Sequence, residues 1–124
     1  MTNSLGGKQY AAAQVTLGER GSEDSGKTPV AAAFTSTGQS SAFEPHAGRP
    51  FNVSVWGTFV GTIDLERSFD DGSTWLKCSR DSAGTAASFT AAASVVVEEP
   101  EAGVLYRLNA TALSSGTANY RISQ

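Results

Sequence analysis

Hydrophobic and polar residues alternate with period two along much of the chain after residue 28. In PFNVSVWGTFV, Pro50 to Val60, Phe51, Val53 and Val55 fall on one face, and Asn52, Ser54 and Trp56 on the other. That period marks a strand with one buried face. TIDLERSF, Thr62 to Phe69, repeats it. Ile63, Leu65 and Phe69 point one way, and Asp64, Glu66 and Ser68 the other. Arg67 falls on the apolar side, which places it near the strand's end or with its stem over the core edge. Gly57 and Gly61 interrupt the pattern and predict a bulge or turn. PVAAAFTST, Pro29 to Thr37, predicts a strand of small residues, and SSAFEPHAGRPF must contain a turn or strand break. Val95 to Val97 form a compact apolar run. VLYRLNATAL and TANYRISQ flank Ser114 to Gly116, which predicts a hairpin with a three-residue loop. Tyr106 and Leu108 share one face of that unit, as do Tyr120 and Ile122.

Helix signals are weak. Ala11 to Gln14 and Ala91 to Ser94 allow one helical turn each, which is marginal in water. About seven or eight short strands at this spacing predict an antiparallel β-sandwich, immunoglobulin-like or jelly-roll-like. The Trp56 strand and the final hairpin would then belong to its two sheets.

Residues 1–28 break the pattern and read as an extended N-terminal arm ahead of a domain over 29–124. Gly21 to Lys27 carries no apolar residue. The arm's one alternating patch is QVTLGE, with Val15 and Leu17. These two either reach a partner, with Tyr10 and with Arg20 as a polar anchor, or form the domain's first strand.

Composition narrows the function classes. The 124 residues suit one domain, and Ala, Ser, Thr, Gly and Val dominate, as in a turn-rich all-β protein. A net charge of −3 argues against nucleic acid or an anionic membrane as partner. No apolar run approaches the roughly 18 residues of a membrane-spanning helix, and the N-terminus shows no secretory signal. The single cysteine, Cys78, fits folding in a reducing cytosol.

Candidate chemistry is sparse. SFDDGSTW, Ser68 to Trp75, resembles the Asp-box hairpin of sialidases and other sugar-acting proteins. Those enzymes repeat the motif over several propeller blades, whereas here it occurs once. Ser68, Asp70, Gly72, Thr74 and Trp75 are therefore read as a structural turn, with Asp70 accepting backbone N–H groups and Gly72 supplying positive φ. His46 and Cys78 show no nucleophile spacing. Asp70, Asp71 and Asp81 lack the rhythm of a calcium loop. Glu98, Glu99 and Glu101 around Pro100 read as a solvated acidic corner rather than an acid–base pair. The expectation is a non-enzymatic protein without catalytic, metal or cofactor sites.

The run GRPFNVSVWGTFVGTIDLERSFDDGSTW, with the ending EEPEAGVLYRLNATALSSGTANYRISQ, is similar to a pattern in small structural proteins of tailed bacteriophages. The resemblance implies a virion protein assembled in the bacterial cytoplasm. The first expectation is a head decoration, or cement, protein that binds the major capsid protein on the outer head surface as a homotrimer. Arm residues Tyr10, Val15, Leu17 and Arg20 would bridge capsomers, and Arg49 and Trp56 would bind from the domain. The alternatives are a tail, neck or fibre component, or a host-glycan-binding module using Trp56.

Overall fold

The computed structural model describes residues 27–79 and 84–124. All regular elements among them are strands: β1 (Val30–Phe34), β2 (Gly38–Gln39), β3 (Pro50–Trp56), β4 (Phe59–Ser68), β5 (Leu76–Lys77), β6 (Ser88–Phe89), β7 (Ala93–Glu98), β8 (Leu105–Gly116) and β9 (Ala118–Ser123). One sheet has the order β1-β9-β3-β7, and the other β2-β8-β4-β5, with β6 also paired to β4. Every pairing is antiparallel. The protein is a two-sheet antiparallel β-sandwich.

The alternation in β3 and β4 sets which residues face inward. Phe51, Val53, Val55, Ile63 and Leu65 are buried, and they meet Tyr106, Leu108, Ala110, Tyr120 and Ile122 from β8 and β9. Each Val, Leu, Ile or Phe side chain among them contributes about 1.5–3 kcal/mol on burial. One aromatic contact joins the layers, Phe51 meeting Tyr106 edge-on at 4.8 Å between ring centres; within the four-stranded sheet, Phe34 lies 4.6 Å from Tyr120.

Two elements depart from the sequence reading. Ser114 to Gly116 do not close a hairpin. They continue β8, where Val60 pairs Ser115 and Phe59 pairs Gly116. The chain then crosses to the other sheet, so β8 and β9 are not hydrogen-bonded neighbours. Gly116 makes this corner at φ 86°, and Thr117 N–H donates to Thr58 O at 3.0 Å. The second corner, at Gly57 (φ 111°), lies against the first. Ala93 and Ser94 belong to strand β7 rather than to a helical turn. The expected irregularity at Gly61 is present as a bulge between Val60 and Gly61.

Candidate docking surface

The hairpin motif is a self-contained turn. Ser68 is fully buried; its hydroxyl donates to Asp70 Oδ1 at 2.8 Å and accepts the Gly72 N–H at 2.9 Å. Asp70 Oδ1 also accepts the Thr74 N–H, four residues on, at 2.7 Å. Bonds from Thr74 and Ser68 hold the Asp70 carboxyl below its ordinary range. Asp71 takes φ 60° and Gly72 φ 90° to close the loop. Trp75 lies under the Arg107 guanidinium, 4.3 Å from its ring centre. Ser68, Asp70, Gly72 and Thr74 build the turn, and Trp75 packs against Arg107 from β8. Ser68→Ala should therefore strand the buried end of the Gly72 N–H and lower unfolding free energy by about 1–2 kcal/mol in denaturant titration.

The outer face of the five-stranded sheet is polar but satisfied. Asp64 and Glu66 are buried, although they point away from the core. Glu66 accepts from Arg107 Nε at 2.8 Å and Asn109 Nδ2 at 3.0 Å, and Asp64 pairs with Lys77 at 3.3 Å. Phe69, expected on the buried face, is 51% exposed because β4 ends at Ser68. The Arg67 guanidinium stacks on its ring at 4.5 Å.

The acidic corner is not wholly solvated, as the sequence suggested. Glu99 is 1% exposed. It ion-pairs with Arg67, accepts the Tyr106 hydroxyl at 2.8 Å, and accepts the Glu101 N–H at 3.0 Å. Burial opposes its ionisation, but these donors win and hold the carboxyl below its ordinary range. Arg67 shows the converse balance: burial lowers its pKa, yet the Glu99 bond leaves it raised. Arg67 is on β4 and Glu99 follows β7, so the pair ties the two sheets together. Burial first, then donation to Glu99, also pushes the Tyr106 hydroxyl upward.

The outer face of the four-stranded sheet is different. Cross-strand registers place Trp56 beside Asn119 and Ala33, Ser54 beside Ser94, Arg121 and Ala31, and Asn52 beside Val96. Arg121 is the one charge on this expanse, with Glu98 at its corner. Trp56 is 46% exposed and Val96 70%. Interface centres share this composition: aromatic residues are enriched and charges depleted. Period-two phasing put Trp56 on the polar face, which matches. Val96 and the small neutral neighbours were missed, because they line up only once the strand register is known.

Arg49 does not join Trp56. It sits in the turn before β3, its N–H donating to His46 O at 3.3 Å and its carbonyl accepting from Gln124. Seven residue steps, about 23 Å, separate it from Trp56. Tyr10, Val15, Leu17, Arg20 and Asp81 lie outside the described residues. Cys78 is half-buried against the core, and burial pushes its thiol up to about 11. Among the described residues, no group of three or more His, Cys, Asp or Glu could hold a metal ion, and no helix is long and apolar enough to cross a membrane.

The chain matches no family model, no curated protein and no solved structure.

Proposed function

We propose that this protein is a head decoration protein of a tailed bacteriophage. It binds the major capsid protein on the outer surface of the head, as a homotrimer, and stabilises contacts between capsomers. The observation that carries this reading is the charge-poor outer face of the four-stranded sheet around Trp56. A sandwich whose other face has spent its charges on internal pairs leaves this face as its contact surface. Docking a flat, charge-poor sheet removes apolar area from water and leaves Arg121 as the one central charge that needs a partner across the contact. The resemblance of the Gly48–Trp75 run to virion structural proteins supports the same partner.

Trp56 is the anchor in this reading, since a tryptophan buried at an interface commonly costs 2 kcal/mol or more when truncated, which is roughly thirtyfold in affinity. Trp56→Ala should weaken co-sedimentation with phage heads stripped of this protein by about that factor. Its unfolding midpoint should hold nearly constant, because the side chain is not in the core. Undiminished binding by the variant would remove Trp56, and the face around it, from the contact.

A further inference from the structure

Strand β7 is an edge that nothing among the described residues covers. It pairs with β3 on one side only. Its sequence, ASVVVE, carries no charge before Glu98 and no proline, so it lacks the usual guards of an exposed edge. Val95 and Val97 oppose Val53 and Phe51 and so face the interior, yet Val95 remains 38% exposed. The sandwich is open there. A groove of about 750 Å³ lies between β7 and the short strands of the other sheet, with Leu65, Cys78, Ala87 and Val97 among its walls. A second hollow of about 310 Å³ continues it past Val95. A free strand edge beside an apolar slot is the arrangement that accepts an added strand.

We infer that the slot is filled by the chain's own residues 14–19, QVTLGE, lying parallel to β7 with Val15 and Leu17 turned inward. Four observations converge on this occupant. Val15 and Leu17 stand two apart, the spacing at which a strand presents side chains to one face. The described chain begins at Lys27, just before β1, and Val30, Ile122, Val53 and Val95 stand in one row across the sheet. Three strand spacings, about 14 Å, separate the first from the last. The ten residues from Arg20 to Pro29 span up to about 33 Å when extended, so the link is long enough in the same molecule.

Direction agrees as well. Strands β1 and β3 are parallel, each being antiparallel to β9, and β7 runs opposite to both. The chain therefore approaches β1 from the sheet end where Glu98 lies. A segment entering the slot from that end lies parallel to β7 and carries Arg20 to Glu98 and Glu101, which rim the groove. The link Gly21 to Gly26 is polar and rich in glycine, as a crossing over the end of the sandwich requires. Docking within one molecule is favoured over exchange by its high effective concentration. Val15 and Leu17 then complete their own domain rather than bridge capsomers, so this inference stands whether or not the domain binds a phage head.

Cys78 in the groove wall reports occupancy. In the full chain, Val15→Asp with Leu17→Asp should raise the rate of Cys78 alkylation by iodoacetamide at least about tenfold at fixed pH, because the slot stays open. Protection in the parent should be independent of protein concentration. Equal rates in parent and variant, or protection that grows with concentration, would overturn the inference. A second measurement stands even if that variant folds poorly. Under mild oxidation, Val15→Cys or Leu17→Cys should form a disulfide with Cys78 inside one chain, seen as a monomer on a non-reducing gel. Disulfide-linked dimers, or no bond from either variant, would contradict docking within one molecule.

Discussion

Glu99→Ala is expected to lower the unfolding free energy by about 3 kcal/mol, the lower end for breaking a buried ion pair. For a domain of this size that is a fall of roughly 15 °C in Tm. The loss has three parts, because one carboxylate serves three donors. Arg67 would keep a partly buried charge without its counter-ion, and the Tyr106 hydroxyl and Glu101 N–H would lose their acceptor. Arg67 reaches solvent at its edge, with 30% of its side chain exposed, which is why the lower end of the range applies. Glu99→Gln keeps an acceptor for Tyr106 but not the charge, and should fall between the parent and Glu99→Ala in thermal melts.

The same pair sets a pH dependence. The Glu99 carboxyl is held below its ordinary 4.5 in the folded protein. Its contribution is therefore complete above that pH and is lost as pH falls through the lower, folded-state value. The stability difference between the parent and Glu99→Gln should be flat from about pH 7 to 5 and shrink below about pH 4. A difference that stays constant into acid would mean that Glu99 is not ionised in the pair.

Gly116→Ala is expected to be comparably damaging, for a backbone reason. Gly116 has φ 86°, and a Cβ there would stand 2.2 Å from Thr58 O and 2.7 Å from the Phe59 Cα. Those atoms are backbone of the neighbouring corner and cannot rotate away. Left-handed strain alone costs about 1–2 kcal/mol, and displacing the Thr58–Thr117 hydrogen bond adds about 1 kcal/mol more. Gly103 is the internal control. It has nearly the same φ, 85°, but nothing lies within 4 Å of its Cβ position. Gly103→Ala should cost the strain and little else, about 1 kcal/mol. Equilibrium denaturation of the two variants separates strain from steric conflict. Equal losses would mean that the corner at Thr58 yields freely.

These two sites show where sequence reasoning reaches and where it stops. The inward residues of β3 and β4 were legible because period two is a property of the strand itself. The turn from Ser68 to Trp75 was legible because its bonds span only four residues or fewer. The crossing at Gly116 was not. Short loops with glycine serve both hairpins and corners, and the choice depends on whether Ser115 and Gly116 pair with β4, sixty residues away in the chain or nearly so. Glu99 was missed for a similar reason: an acidic run beside a proline gives no sign that one member faces Arg67. The fates of Asp64 and Glu66 were also invisible, since their partners Lys77 and Arg107 come from other strands. The charge-poor face around Trp56 was half legible. Alternation gave the side of the sheet, and only the register brought Ser94, Val96, Asn119 and Ala33 to it.

The measurement that tests the decoration reading most directly is cryo-electron microscopy of the particle carrying this protein. The account predicts sandwich-shaped density on the outer shell at threefold or quasi-threefold positions, with the Trp56 face against the major capsid protein. Density confined to the neck, tail or fibres, or a Trp56 face turned to solvent on the head, would contradict it.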